Sequence, residues 1–239
     1  DTVVSSIAHF DEASGFPIFS VNTMYIEQEG SIWVGTLSNG LVKLYEPFFK
    51  YYEAPKEIKN VNAIEEWNGQ YLVATDKGLF RFDPSSPTLI KQFQRIAGFD
   101  EPVHTIKVKQ DELWMGTQNN GVLVYDLIKK KTRKISFNGL EQRTIRARLF
   151  EIDKEGNVWI SAMENGVILV DKSGNVLNHL STNNGFIHND IYTICASSNK
   201  EVWFGSLGAG LAKLNIDGEI VRLSQQDIFP SHDINDITE

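Results

Sequence analysis

A single phrase returns along this chain at a period of roughly 38 to 45 residues, and it constrains the fold more than any other feature. Its clearest copies pair Ser31-Ile32-Trp33-Val34-Gly35-Thr36 with Gly40-Leu41-Val42-Lys43-Leu44, and Glu112-Leu113-Trp114-Met115-Gly116-Thr117 with Gly121-Val122-Leu123-Val124-Tyr125. Two more pair Asn157-Val158-Trp159-Ile160-Ser161-Ala162 with Gly166-Val167-Ile168-Leu169-Val170, and Glu201-Val202-Trp203-Phe204-Gly205-Ser206 with Gly210-Leu211-Ala212-Lys213-Leu214. In a fifth, degenerate copy Tyr71 stands in the Trp position, and a shortened connection leads to Gly78-Leu79-Phe80-Arg81-Phe82.

Each repeat breaks into four short β segments separated by reversals, and none sustains a helical period. In the first repeat, strand a runs near Val21 to Ile26 and turns at Gln28-Glu29-Gly30; strand b carries Trp33, strand c follows Gly40 and strand d lies near Phe49 to Glu53. Asn68-Gly69, Glu155-Gly156, Ser173-Gly174 and Asp217-Gly218 stand where tight reversals are needed, because Gly accepts positive φ without a Cβ clash. The strand b Trp has the size to fill the wedge between neighbouring blades. The fold class is therefore all-β, a β-propeller of four-stranded antiparallel blades in one domain over 1–239. Its five complete repeats fall at approximately 19–60, 61–102, 103–144, 145–190 and 191–232. Incomplete copies flank them, one from Ser6 to Pro17 and one from Asp233 to Ile237. Either the two join as a composite blade and close a six-bladed ring, or the chain is an arc of a larger ring.

Composition narrows the partners. A net charge of −8 argues against nucleic acid and anionic membrane surfaces, which demand concentrated Lys and Arg. No apolar run approaches the roughly 20 residues needed to cross a bilayer, so no direct membrane insertion by this segment is expected. Cys195 is the sole cysteine, which rules out an intrachain disulfide, and its place in an inner strand reads as a small core residue. The start at Asp1, without Met or an apolar leader, fits a processed export and an excised piece equally.

The phrase N/D-x-V-x-x-I, an acidic and Gly turn, L-W-x-G-T and G-L-x-x-x resembles the two-component regulator propeller repeat. Val21, Met24, Glu27, Gly30, Trp33, Gly35, Thr36, Gly40 and Leu41 carry it, and again Asn189, Ile191, Ile194, Trp203, Gly205, Gly210 and Leu211. Tyr71 and Ser161-Ala162 depart from the pattern. Such repeats occur in the extracytoplasmic sensor regions of hybrid two-component histidine kinases, where propellers precede a β-sandwich, a membrane helix and an intracellular kinase. The resemblance implies an extracytoplasmic, periplasmic position, a sensing function, an oligosaccharide ligand and a homodimer formed through the parent sensor. It implies no catalysis in this segment.

In a propeller the d-to-a and b-to-c connections gather on one face around the central channel, and the residues there are the place to look for a ligand. One column, a residue into strand a, reads Asn22, Asn62, His104, Arg148, Tyr192 and Asn235; its neighbour reads Ser20, Asn60, Pro102, Arg146, Asp190 and Asp233. From these columns Asn22, Asn62, His104, Arg146, Arg148, Asp190 and Tyr192 are the candidate ligand-binding residues, a mix suited to hydroxyl-rich or anionic ligands. Arg146 and Arg148, two apart on a strand, are expected to face the same way and with Arg143 to clamp a carboxylate or sulfate; pairing with acids at the channel rim is the plainer reading. Asn119, Asn120, Asn183 and Asn184 are further top-face loop residues within reach of a sugar.

No metal or cofactor is expected: His104 and His188 belong to no HxH, HExxH or Cys/His spacing. Asp153, Asp171 and Asp217 lack the alternating acids of a calcium loop and read as turn stabilisers. Lys129-Lys130-Lys131 reads as a solvated edge. Three functions compete. A glycan sensor binds at the top face, whereas a structural or dimerisation propeller has no small-molecule ligand of its own. An enzyme needs convergent groups, and the inner columns supply only His104 and Asp190, from separate blades.

Overall fold

A computed structural model of the chain describes residues 20–27, 30–37, 40–45, 48–86, 92–137, 145–223 and 233–239. Blade 1 is built from β1 (Val21–Ile26), β2 (Ile32–Thr36), β3 (Leu41–Tyr45) and β4 (Phe48–Tyr52). Blade 2 follows with β5 (Val61–Trp67), β6 (Gln70–Thr75), β7 (Gly78–Phe82) and β8 (Phe93–Arg95), and blade 3 with β9 (Val103–Lys109), β10 (Glu112–Thr117), β11 (Gly121–Asp126) and β12 (Lys131–Lys134). Blade 4 comprises β13 (Ala147–Ile152), β14 (Val158–Ala162), β15 (Gly166–Val170) and β16 (Val176–Leu180), and blade 5 β17 (Ile191–Ala196), β18 (Val202–Ser206), β19 (Leu211–Leu214) and β20 (Ile220–Leu223). Each blade is an antiparallel sheet in chain order, and the first strand of each blade lies against the first strand of the next. The fold is the all-β propeller that the repeat predicts. A 3-10 turn stands at Thr182–Asn184, after the last strand of blade 4.

The repeated phrase acquires a physical meaning in these blades. The Thr that ends the second strand donates its hydroxyl to the carbonyl of the Gly that opens the third: Thr36 to Gly40 at 3.0 Å, Thr75 to Gly78 at 2.9 Å and Thr117 to Gly121 at 3.0 Å, with Ser206 doing the same to Gly210 at 2.8 Å. Blade 4, with Ala162 there, has no such hydroxyl, and Ser161 Oγ instead donates to the carbonyl of Ile191 in blade 5. The Gly suits the left-handed backbone of the turn, and at Gly78 there is also no room for a side chain: φ is +111° and an added Cβ would lie 1.8 Å from the Phe99 oxygen.

Apolar residues of the second strands fill the gaps between blades. Trp33 is fully buried and meets Tyr71 and Phe82 of blade 2 at ring-centroid distances of 5.0 and 5.3 Å. Trp114 is also fully buried, beside Phe150 of blade 4, and Trp159 packs on Phe204 of blade 5. Trp203 is only half-buried. A cation covers three of the four rings and is itself held by an acid: Lys43 over Trp33 with Glu27, Arg133 over Trp114 with Glu112, and Lys213 over Trp203 with Glu201.

At the end of the chain, Ile234 N–H donates to the Ser206 carbonyl and the Ile234 side chain covers Gly205. Val61 covers Gly35 in the same way, so residues 233–239 lie along blade 5 where the first strand of a following blade lies along the others. On β1, Val21, Met24 and Ile26 are exposed, whereas Val61 and Ile64 on β5 are buried. The incomplete copy from Ser6 to Pro17 lies outside the described residues.

Two expectations need correction. Cys195 is half-buried rather than a core residue, because its position on β17 faces the charged inner column described below. The turn at Asp217 is stabilised by Asn215, whose Oδ1 accepts from the N–H groups of Asp217 and Glu219 at 3.1 and 2.8 Å. Asp153 and Asp171 do hold their turns, accepting from the N–H groups of Asn157 and Asn175.

Candidate functional site

The pairing of first and second strands slips by one residue in every blade, always at the same place. On β1, Val21 faces Thr36 and Thr23 faces Gly35, so Asn22 is left out of the ladder. The residues skipped in the other blades are Asn62, His104, Arg148 and Tyr192. The first expected column is thus a series of β-bulges, devices that release a side chain from the ladder and re-aim it. The second column is fixed through its backbone. The carbonyls of Ser20, Asn60, Pro102, Arg146 and Asp190 accept from the N–H groups of Leu37, Asp76, Gln118, Met163 and Leu207 at 2.9–3.3 Å. A carbonyl is common to all residues, Pro included, so the fold leaves these side chains free to differ. The same bonds tie the d-to-a and b-to-c connections into one rim.

Around that rim the candidate residues divide into two groups. In blades 1 to 3, Asn22 Nδ2 donates to the Val61 carbonyl at 2.8 Å and to Asn62 Oδ1 at 3.2 Å, and Asn62 Nδ2 donates to the Val103 carbonyl at 2.8 Å. These amides clasp one inner strand to the next. His104 Nε2 lies 2.6 Å from Gln118 Oε1, paired with an amide and not with a carboxylate.

In blades 4 and 5 the groups are charged. Arg146 meets Glu164 at 3.4 Å, and Asp190 Oδ1 accepts from the Glu164 N–H at 3.1 Å, which brings Arg146 and Asp190 around one residue. With the two side chains 42% and 74% exposed, the Arg146–Glu164 pair is worth no more than about 1 kcal/mol and yields readily to another acceptor. Arg148 turns instead to Tyr192, its guanidinium carbon 3.9 Å from the ring centroid. Its Nε is shut off from solvent and has no hydrogen-bond partner among the described residues. A guanidinium set over an aromatic ring gains cation–π attraction while its terminal N–H groups can still donate to a carboxylate, sulfate or hydroxyl. Arg143 lies outside the described residues.

The loop asparagines are largely committed. Glu101 accepts from the Asn119 N–H at 2.6 Å and from the Asn120 amide, and Asn184 Oδ1 accepts from the Ser181 N–H at 2.8 Å.

Sequence reading missed a third column, three residues further along the inner strands: Tyr25, Glu65, Lys107, Glu151 and Cys195. Lys107 Nζ lies 3.8 Å from Glu65, and Glu65 Oε2 accepts from the Val108 N–H at 3.1 Å. Glu151 accepts from the Ala196 N–H at 3.4 Å. Each acid thus caps a backbone donor on the first strand of the next blade. Burial pushes the Glu65 carboxyl above the usual carboxylate range, against the pull of Lys107, and burial does the same to Glu151. Burial and the charge of Glu151 likewise push the Cys195 thiol up. The signal was present in the sequence, since a charge inside an otherwise apolar strand marks a face that is not core.

No protein-family model and no curated protein matches the sequence. Solved structures do match. The extracellular domain described as belonging to the hybrid two-component system BT4673 of B. thetaiotaomicron aligns at a TM-score of 0.68 and 18% identity, over 85% of this chain and 27% of that one. The corresponding domain of BT3049 from the same organism aligns at 0.61 and 18%, over 91% and 36%. The WD40 propeller of Doa1 aligns at 0.63 and 14%, over 81% and 62%. What they share is the β-propeller. This chain spans about a third of the length of the two extracellular domains, and at these identities the likeness is one of fold.

Proposed function

We propose that this propeller is the ligand-sensing part of an extracytoplasmic, periplasmic sensor of the hybrid two-component type, and that it takes an oligosaccharide at the rim formed by its bulge residues. The observation that carries the reading is Arg148, its guanidinium carbon set 3.9 Å from the Tyr192 ring centroid, at a bulge next to the loosely paired Arg146. The ligand accepts from these two arginines, and Asp190, His104 and Gln118 offer further polar contacts to its hydroxyls. Likeness in fold to extracellular domains of two such systems supports the setting. The propeller contributes recognition; a kinase elsewhere in the parent polypeptide would supply the output.

The test is a thermal-shift screen of the chain against neutral and acidic oligosaccharides, with hits repeated on Arg146→Ala and Arg148→Ala. A ligand at 100 times its Kd stabilises the native state by about 2.7 kcal/mol, a readily measured shift. Saturable stabilisation lost in Arg148→Ala supports the proposal. No shift across the panel, or the same shift in both variants, overturns it in favour of a propeller that serves packing or dimerisation.

A further inference from the structure

We propose a second binding site, for a small oxyanion, on the outside of the propeller in the seam between blades 2 and 3. It lies away from the rim and stands whether or not the rim binds a glycan. A cavity of about 420 Å³ opens there, lined by Arg81 of β7, Gln94 and Arg95 of β8, Tyr125 of β11, Lys130 of the following turn and Thr132 of β12. Ile96 and Ala97 complete the lining, so three of the eight lining residues are cations, and among the described residues no acid lines the cavity, in a chain whose net charge is −8.

The cations are built in. The Arg95 guanidinium carbon sits 4.8 Å from the Phe80 ring centroid and one of its N–H groups donates to the Lys77 carbonyl, which fixes its direction. Its acidic neighbour, Asp100, lies 3.5 Å away with a side chain 80% exposed, so solvent screens that pair and leaves most of the positive field in place. Arg81 Nε is closed off from solvent and has no hydrogen-bond partner among the described residues. Arg81 meets a ligand through the part of its side chain that lines the cavity. Lys130 lines the cavity from an exposed turn with left-handed backbone, φ 55°.

Two guanidinium groups, an ammonium and the hydroxyls of Tyr125 and Thr132 form a set dominated by donors. Its complement is an acceptor-only group with several oxygens: sulfate, phosphate or carboxylate. The volume exceeds that of a bare inorganic ion and falls in the range of small-ligand sites, so an acidic or sulfated monosaccharide also fits.

Isothermal titration calorimetry of the chain with sodium sulfate, sodium phosphate, glucuronate and glucose 6-sulfate, each against sodium chloride at equal ionic strength, tests the proposal. The expected result is saturable binding of at least one of them, weakened about tenfold in Arg81→Gln and about threefold in Lys130→Asn. Lys130→Asn is the safeguard against misfolding, since Lys130 is exposed and Asn tolerates its backbone conformation. Binding by the sugar acids alone identifies a saccharide source, and equal binding by the inorganic ions identifies a free anion; either supports the site. Absence of saturable binding overturns it, as does binding that survives both seam variants or is lost only in Arg148→Ala.

Discussion

Replacing Glu27 with Gln removes a charge that joins blades 1 and 2. The Glu27 carboxylate accepts from Trp33 Nε1 at 2.8 Å, from Lys43 Nζ at 2.8 Å and from the Tyr71 hydroxyl across the blade boundary, with its side chain only 11% exposed. Burial pushes its pKa up, but the hydrogen bonds from Lys43, Tyr71 and Trp33 override burial and hold the group at about 2, against an ordinary 4.5. Because the folded-state value is the lower one, this carboxylate contributes stability that is present above the unfolded value and lost as pH falls through the folded one. The shift corresponds to about 3 kcal/mol at neutral pH, of which about 2 kcal/mol is gone by pH 3. Urea unfolding of wild type and Glu27→Gln at pH 7 and pH 3 measures it. The expected gap is roughly 2–3 kcal/mol at pH 7, closing to about 1 kcal/mol at pH 3, with no change in the denaturant slope. A gap below about 0.5 kcal/mol at pH 7, or one of equal size at both pH values, would refute the reasoning.

Three further outcomes follow from the same packing. Trp33→Phe orphans a bond to a charged acceptor, whereas Trp114 Nε1 is already buried without a partner among the described residues, so Trp33→Phe should cost about 1–2 kcal/mol more than Trp114→Phe in urea unfolding. Gly78→Ala should cost more than about 3 kcal/mol, because its Cβ meets the Phe99 carbonyl, whereas Gly69→Ala at φ +74°, with nothing within 4 Å of the added Cβ, should cost only about 1 kcal/mol; thermal unfolding ranks the two. Lys107→Met should move the carboxyl titrations of Glu65 and Glu151 further upward in ¹³C NMR, since the lysine charge pulls both down. Because those folded-state values already lie above the ordinary range, the variant should also lose stability as pH rises from about 4.5, the reverse of the Glu27 behaviour.

The blade was legible because its determinants are local. The Thr36-to-Gly40 loop bond and the Asn68-Gly69 turn each depend on residues a few positions apart, and each left a mark in the repeated phrase. Tyr71, which looked degenerate, is functional in the packing: its hydroxyl reaches Glu27 in the preceding blade, a contact between repeats that no single repeat displays. The rim columns could be aligned by counting, but counting did not distinguish an Asn clasp from an Arg laid on a Tyr. Asn22 and Asn62 pair because both happen to be amides in adjacent blades, and Arg148 meets Tyr192 because the bulges of blades 4 and 5 aim them together. The Glu65, Lys107 and Glu151 column leaves no mark in the repeated phrase, because its charges differ from blade to blade and its bonds run between blades. The seam around Arg81 belongs to two blades and to outer strands, where the repeat phrase carries no information.

The central claim is that the bulge residues at the rim hold a ligand, and calorimetric titration of the best oligosaccharide from the screen into wild type, Arg148→Ala and Lys130→Asn tests it most directly. The account predicts a saturable one-site isotherm in wild type, at least about a tenfold loss of affinity in Arg148→Ala and no change for a neutral oligosaccharide in Lys130→Asn. Equal affinity in wild type and Arg148→Ala would contradict it.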